Sequence, residues 1–139
     1  MPRDPKGVVA EITQFRPVDG DWLPLDSLLA ELWQSGAAGN YVAELLAVFE
    51  RFPTEDGHVM WSLMHGLESL PGLDPLVLQS LVRQPSEMAV LMVGRLLNSG
   101  VQEVSGMSLV EVLRDVTRSP AAPESVKGSA AGWAARHAA

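Results

Sequence analysis

Two histidines and a glutamate have the spacing of groups that could bind a metal ion or transfer a proton. His58 and His65 are seven residues apart, so on one helix face they would lie about 10 Å apart, too far to share an ion without further ligands. His65 and Glu68 are three residues apart and can meet on a helix. The second His-x-x-Glu pair that a di-metal cluster needs does not occur in the sequence. We therefore expect His65 and Glu68 to form a structural hydrogen-bonded pair; a small metalloenzyme and a partner contact are the alternatives.

Other catalytic motifs are missing from the sequence. Because it contains no cysteine, disulfides, thiol catalysis, zinc–thiolate sites and iron–sulfur clusters are excluded. It contains no Gly-Lys-Ser/Thr phosphate loop and no Gly-x-Ser-x-Gly nucleophile motif. The third histidine, His137, is expected to be exposed near the end of the sequence. These features predict a binding protein with no catalytic residue, no metal and no cofactor.

The elements that position these residues are predicted to be helices, because Leu, Ala, Glu and Met dominate and alternating β-branched runs are lacking. Asn40 and Thr54 are the expected N-caps of two of them. Glu55 and Asp56 would then lie in a first helical turn, where carboxylates meet the positive end of the helix dipole. The predicted helices cover residues 8–15, 25–35, 40–52, 55–70, 75–83, 87–98 and 107–118.

The helix predicted over 87–98 should be the central one, because it is apolar almost all round. Arg95 lies on this helix and would have little exposed surface. A buried guanidinium needs a carboxylate and further acceptors.

A weak internal repeat suggests how the helices are arranged. Helices that start near 25, 55 and 87 are each followed by a partner near 40, 75 and 107, and Ala30, Gly66 and Gly94 fall at the same repeat position. Small residues there would let neighbouring helices approach closely. The prediction is an all-α fold of six to seven helices in antiparallel pairs, either a short HEAT-like stack or a compact helical bundle. Residues 1–118 would form one domain. The Ala/Gly/Ser/Pro-rich tail, 119–139, would be disordered or loosely docked, with at most a short helix around Trp133.

The negative charge is concentrated in the first half of the sequence. The net charge is −7 overall, but residues 11–74 have eleven acidic side chains against two arginines. This balance argues against nucleic acid as the main partner, and the acidic segment is either a solvated face or a surface for a basic partner. The first residues are charged and proline-rich, and the longest apolar run, 88–94, is too short for a bilayer. We expect a cytoplasmic protein with no membrane partner.

The segment Trp61-Ser62-Leu63-Met64-His65-Gly66-Leu67-Glu68, followed by Pro85-Ser86-Glu87 and Arg95-Leu96-Leu97-Asn98-Ser99-Gly100, resembles a family of proteins. The family consists of small all-helical immunity proteins of bacterial polymorphic-toxin and contact-dependent growth inhibition systems. The resemblance covers residues 61–100 and implies a protein that binds and blocks a cognate toxin domain without being an enzyme. It also implies that His65, Glu68, Arg95 and Asn98 belong to the family pattern. We interpret them as a structural network in which Glu68 pairs with Arg95, His65 supports the pair and Asn98 caps its helix.

The resemblance gives the acidic half of the sequence an expected role. Many toxin domains are nucleases with a basic cleft, and an acidic surface can occupy such a cleft as a phosphate mimic. Trp22 has two interpretations, a ring that closes the end of the helical stack or an exposed aromatic anchor. The alternative function is a helical-repeat scaffold or adaptor with an unrelated protein partner. The predicted partner-binding residues are Asp19, Asp21, Trp22, Asp26, Glu55, Asp56 and His58, with Glu44 and Glu50 as further candidates.

Overall fold

The computed structural model describes residues 3–138, and within them the chain is all-helical apart from one tiny hairpin. This confirms the predicted fold class, with eight α-helices in the described residues instead of six or seven. The helices are α1 Pro5–Gln14, α2 Leu23–Gln34, α3 Val42–Arg51, α4 His58–Glu68, α5 Leu73–Arg83, α6 Glu87–Asn98, α7 Leu109–Arg118 and α8 Glu124–His137. A 3₁₀ turn covers Ala38–Asn40, and strands β1 Glu103–Val104 and β2 Met107–Ser108 form the hairpin.

The helices pack as two rows of neighbours. One row runs α2, α4, α6, α8 and the other runs α1, α3, α5, while α7 packs mainly on α8. Among consecutive helices, α7–α8, α1–α2 and α5–α6 pack most extensively on each other. The first two predicted pairs, α2–α3 and α4–α5, are therefore out of phase by one helix, whereas α6 and α7 of the third pair do contact each other. The cause is that α1 is a full partner of α2, so it occupies the position that the prediction gave to the helix near 40.

Helix α6 is the central element, as expected from its composition. It contacts α3, α4, α5, α7 and α8, and most of its apolar side chains are fully buried. Its first turn is closed by Ser86, whose hydroxyl accepts a hydrogen bond from the Ala89 amide at 3.2 Å. Arg95 differs from its prediction, because 40% of its side chain is exposed. It lies at the end of α6, where the guanidinium reaches past the packed core.

The tail of the chain is a packed helix, which corrects the prediction of a disordered or loosely docked segment over 119–139. Val126, Ala130 and Ala134 of α8 are buried against its neighbours. The ring of Trp133 lies against Gly94 of α6, at a point where a Cβ atom would overlap it. Small side chains let α8 pack closely, so the segment needs few large apolar residues to dock.

Two helix starts also differ from the prediction. Helix α3 begins after the 3₁₀ turn, with Tyr41 at the N-cap position instead of Asn40. Helix α4 begins at His58 with Gly57 at the N-cap, not after Thr54. A carboxylate oxygen of Glu55 accepts a hydrogen bond from the Gly57 amide at 3.2 Å, which stabilises a turn in place of the first helical residues. Glu55 and Asp56 consequently lie in the α3–α4 loop instead of on a helix.

None of the helices within residues 3–138 is both long and apolar enough to cross a bilayer.

Candidate functional site

A depression of about 260 Å³ lies between the α1–α2 loop and the α3–α4 loop. Four of the predicted partner-binding residues, Asp21, Trp22, Glu55 and His58, line it together with the exposed apolar side chain of Leu23. The two loops are more than thirty residues apart in the sequence, so only the packing of α1, α2 and α3 brings these side chains together. We call this depression the acidic pocket.

The α1–α2 loop is held by a tight turn. Val18 and Asp21 form an antiparallel bridge, and the two residues between them, Asp19 and Gly20, have φ angles of 52° and 73°. Two positive φ values in succession are typical of a type I′ turn, in which Asp and Gly are tolerated. Asp21 then accepts a hydrogen bond from the Leu23 amide at 3.0 Å. Asp19 is exposed at the tip of the turn and does not line the acidic pocket.

Trp22 is half-buried and makes defined aromatic contacts. Its ring centroid lies 5.8 Å from that of Phe15 and 5.0 Å from that of Phe52, the latter in an edge-on arrangement. Such contacts contribute beyond area burial and fix the ring in place. This is the arrangement expected of a ring that closes the end of the helical stack, with one part facing the acidic pocket. The freely exposed apolar side chain here is Leu23, which is 66% exposed.

The acidic residues fall into two groups, those that pair with an arginine and those that do not. Arg3 binds Glu31 through two hydrogen bonds of 2.7 and 2.9 Å, and it also contacts Glu11. Arg83 binds Glu50, and Arg95 binds Glu68. Within residues 3–138, by contrast, no lysine or arginine nitrogen lies within 4.0 Å of the acidic residues predicted to bind a partner, which are Asp19, Asp21, Asp26, Glu55 and Asp56.

Glu50, one of the further candidates, has a structural position. Its carboxylate accepts a hydrogen bond of 2.8 Å from the hydroxyl of Ser80, which is fully buried, and two more from Arg83. It thereby ties α3 to α5. Glu44, the other further candidate, lies on the first turn of α3 and does not line the acidic pocket.

Arg51 lies close to the acidic pocket but does not neutralise it. Its guanidinium donates to the backbone carbonyls of Ile12 and Phe15, which satisfies acceptors at the carboxyl end of α1, and stacks over the Phe52 ring at 5.0 Å. Burial, followed by the proximity of Arg16, lowers the pKa of Arg51 below its ordinary value. The guanidinium of Arg51 therefore binds backbone carbonyls at the end of α1 and not a carboxylate of the acidic pocket.

Two further grooves lie between helices of the row α2, α4, α6 and α8. Asp26 lines a groove between α2 and α4, beside Trp33 and Gly66. Asp56 lines another, together with Glu87, Trp61 and Trp133. All three depressions are lined in part by α4, and together we call them the acidic–aromatic face. The predicted residues Asp21, Trp22, Asp26, Glu55, Asp56 and His58 all line it.

Trp61 is a candidate binding residue that the sequence argument did not select. Its side chain is 39% exposed, and its ring lies 6.0 Å from the imidazole of His65. The buried residues of α4 are Val59, Met60, Leu63, Met64 and Leu67. Position 61 falls outside that apolar stripe, so a helix placed at 58–68 would have indicated that the indole faces solvent.

The predicted polar network is present in part. Arg95 of α6 binds Glu68 of α4 through two hydrogen bonds of 2.9 and 3.0 Å. This hydrogen bonding raises the pKa of Arg95 above its ordinary value. His65 is 59% exposed, and its Nδ1 lies 3.8 Å from the Glu68 carboxylate, too far for a hydrogen bond. Asn98 does not cap its helix: its side-chain oxygen lies 3.0 Å from Nε2 of His137 on α8, and Ser99 is the C-cap residue. His137 is therefore not free in solvent but joins α8 to the end of α6.

Within the described residues, no group of three or more His, Cys, Asp and Glu side chains is arranged to hold a metal ion. His65 and Glu68 therefore have no third such side chain beside them in that part of the chain. Comparison with protein-family models, with curated proteins and with solved structures finds no match to the chain.

Proposed function

We propose that this protein is an immunity protein, not an enzyme, that binds and neutralises a cognate basic toxin domain through the acidic–aromatic face. The observation that carries the proposal is the division of the carboxylates. Glu31, Glu50 and Glu68 are each bound to an arginine, whereas Asp21, Asp26, Glu55 and Asp56 line one face without a basic partner among residues 3–138.

Unpaired carboxylates on one face attract a positively charged protein over long range. Opposite charge raises the association rate, and this effect weakens as salt screens the charges. A nuclease is the favoured class of toxin, because its substrate cleft is lined by cations that bind phosphate. Carboxylates on the two loops can bind such cationic side chains in place of phosphate. The bound immunity protein would then block access of the nucleic acid to the cleft.

The same face offers apolar anchors. Leu23 and Trp61 are exposed beside the carboxylates, and the half-buried ring of Trp22 forms part of the pocket wall. Interfaces obtain most of their binding energy from a few apolar or aromatic contacts that are surrounded by polar groups. The carboxylates would thus favour encounter and orientation, and Leu23 and Trp61 would supply affinity.

The resemblance of residues 61–100 to immunity proteins supports the proposal from another direction. The Glu68–Arg95 pair fixes α4 against α6 and lies away from the acidic pocket. A structural role suits residues that belong to a family pattern, because cognate toxins differ and the binding surface has to differ with them. The toxin-specific residues would then lie in the α1–α2 and α3–α4 loops.

The test uses the protein encoded directly upstream as the toxin candidate. Calorimetry should show a 1:1 complex, and adding this protein should abolish nuclease activity. The double variant Asp21→Asn, Glu55→Gln should weaken binding at least about tenfold if each charge contact contributes about 1 kcal/mol. Glu103→Gln is the matched control, since it removes a remote exposed carboxylate and should bind as the wild type does. Equal affinity of the double variant and the control would contradict the proposed surface.

The adaptor alternative has a distinct outcome in the same experiment. A scaffold with an unrelated partner would neither bind the upstream product nor protect cells that express it. Full protection combined with unchanged affinity of the double variant would keep the immunity function and reject the acidic–aromatic face.

A further inference from the structure

The groove that Asp56 lines differs from the other two depressions of the acidic–aromatic face, because two indole rings take part in it. It has a volume of about 260 Å³ and lies where the α3–α4 loop, α4, α6 and α8 meet. Trp61 of α4 and Trp133 of α8 line it, together with the carboxylates of Asp56 and Glu87. We call this groove the indole pocket.

The size and the inner wall of the indole pocket suit a single long side chain. Pockets that hold drug-sized molecules measure about 300–1,000 Å³, so a space of about 260 Å³ is small for such a ligand. Met88 and Val90, which line its inner wall, are at most 1% exposed and belong to the core. An apolar wall next to charged groups favours a side chain that has methylene groups below a charged end.

Neither carboxylate of the indole pocket has a basic partner in the described part of the chain. The hydroxyl of Ser129 donates to Glu87 at 2.9 Å, which holds this carboxylate between α6 and α8. Asp56 is exposed on the α3–α4 loop. Within residues 3–138, no lysine or arginine nitrogen lies within 4.0 Å of either carboxylate. An apolar occupant would cover both charges without pairing them, so charge complementarity selects a cation.

One of the two indoles already binds a cation of this chain. The guanidinium carbon of Arg136 lies 4.6 Å from the centroid of the Trp133 ring, and Arg136 is not among the residues that line the pocket. Trp133 also packs against Gly94, so its ring is fixed in place. Trp61 is 39% exposed, and no cation of the described residues lies over its ring. The indole that can receive a cation from outside is therefore that of Trp61.

Arginine fits this combination of groups better than lysine does. A guanidinium is planar, so it can stack on an indole while its N–H groups bind a carboxylate. The ammonium group of lysine is more strongly hydrated and has no flat face to stack. We propose that the indole pocket binds one arginine side chain of the partner, between the Trp61 ring and the carboxylates of Asp56 and Glu87. That the partner is a toxin rests on the proposed function, whereas the preference of the pocket for a guanidinium does not.

Binding of N-acetyl-arginine amide, a capped single arginine, tests the pocket without any toxin. In ¹H–¹⁵N spectra of the full chain, the indole N–H signals of Trp61 and Trp133 should shift with a dissociation constant of about 10 mM. The signals of Trp22 and Trp33 are internal controls, because these rings lie outside the indole pocket. The lysine analogue should bind at least about threefold more weakly, and the neutral glutamine analogue should cause no saturable shift.

Variants assign the binding to these side chains. Trp61→Leu should abolish the shift of the Trp133 signal, whereas Trp61→Phe should keep part of the affinity, because phenylalanine is a weaker cation–π partner. Asp56→Asn should weaken binding at least about threefold, and Glu103→Gln, which removes a remote exposed carboxylate, is its matched control. Arg136→Gln should strengthen binding, since it removes a like charge beside the pocket. A misfolded variant would not gain affinity in this way.

Three results would overturn the proposal. One is a Trp61 signal that does not shift up to about 100 mM of the arginine probe, ten times the expected constant. Another is a lysine or glutamine analogue that binds as tightly as the arginine probe. The last is a Trp61→Leu variant that binds the probe as the wild type does.

The same variants in the toxin experiment separate this proposal from the proposed function. Specific binding of the arginine probe by a protein that does not bind the upstream toxin would support the indole pocket and reject the immunity function. A toxin complex whose affinity Trp61→Leu leaves unchanged, together with no binding of the probe, would support the immunity function and reject the indole pocket.

Discussion

Gly66 of α4 lies directly beneath the indole of Trp33 of α2, and a Cβ atom at that position would overlap the ring. The same relationship joins Gly94 of α6 to Trp133 of α8. The two glycines hold equivalent positions in the weak internal repeat, where small residues were expected to bring helices close together. Their role in the structure is more specific, since each makes room for a tryptophan ring from the neighbouring helix of the same row.

We therefore expect Gly66→Ala and Gly94→Ala each to lower the free energy of unfolding by about 1–3 kcal/mol, the usual effect of overpacking. Gly132→Ala on α8 is the control, because nothing lies within 4 Å of its Cβ position. Alanine is the better helix former, so that change should stabilise the protein by about 0.5–1 kcal/mol. Urea unfolding of the three variants gives these values. Equal effects of all three changes would show that the tryptophan rings adjust without strain.

The Glu50–Ser80 contact leads to a prediction about stability. Ser80 is fully buried and donates its hydrogen bond to Glu50, so Glu50→Ala leaves a buried hydroxyl without that acceptor. The expected loss is about 1–3 kcal/mol. Glu44→Ala, on the same helix, should change the melting temperature little, and neither change should alter toxin affinity. A stable Glu50→Ala variant with weakened toxin binding would reverse this assignment.

The Arg95–Glu68 pair should contribute more to stability than the neighbouring His65 does. Both partners are partly exposed, so a double-mutant cycle with Arg95→Met and Glu68→Gln should give a coupling energy of at most about 1 kcal/mol. His65→Ala should leave the melting temperature nearly unchanged, because the imidazole is exposed and does not hydrogen-bond to Glu68. Thermal unfolding measures both effects. A large fall in melting temperature on His65→Ala would show that His65 does belong to the structural network.

The helices were predictable wherever large apolar residues recur at helical spacing, as they do in α2, α3 and α6. Helix α8 lacks that signal, because it docks through Ala130, Ala134 and the Trp133–Gly94 contact. Local capping rules placed the start of α4 at Thr54, but the hydrogen bond from Gly57 to Glu55 competes with them.

The acidic site was predictable as a region and not as a set of residues. The charge distribution shows where carboxylates accumulate, but it does not show which of them are neutralised. Arg3 pairs with Glu31 across 28 residues, and Arg83 pairs with Glu50 across 33. Such pairs depend on how the helices pack and leave no mark in the local sequence. Only the fold separates Glu50, which is structural, from Glu55, which lines the acidic pocket.

Removal of α8 should unfold or strongly destabilise the protein. Deleting residues 124–139 would expose the surface of α6 around Gly94 and the apolar face of α7, on both of which α8 packs. The melting temperature should fall steeply, and the truncated chain should bind a dye that recognises exposed apolar surface. Deleting Ala138 and Ala139 alone is the control and should have no effect. A truncated chain with the stability of the wild type would show that α8 is dispensable for the core.

The Arg3–Glu31 pair predicts a component of acid sensitivity. The hydrogen bond from Arg3 lowers the pKa of Glu31 below its ordinary value of 4.5. Because the folded-state pKa is below that of the unfolded chain, the pair stabilises the fold fully above pH 4.5, and this contribution is lost as the pH falls through the lower, folded-state value.

Glu31→Gln lacks this contribution at every pH, so its stability should decline less steeply than that of the wild type below pH 4.5. The carboxyl of Glu31 is exposed, as the amide that replaces it would be, so the variant and the wild type should differ little in stability at neutral pH. Urea midpoints measured from pH 7 to pH 3 check the prediction, and Glu103→Gln, a remote exposed carboxylate, is the control. Parallel curves of urea midpoint against pH for Glu31→Gln and the wild type below pH 4.5 would show that Arg3 and Glu31 do not pair in solution.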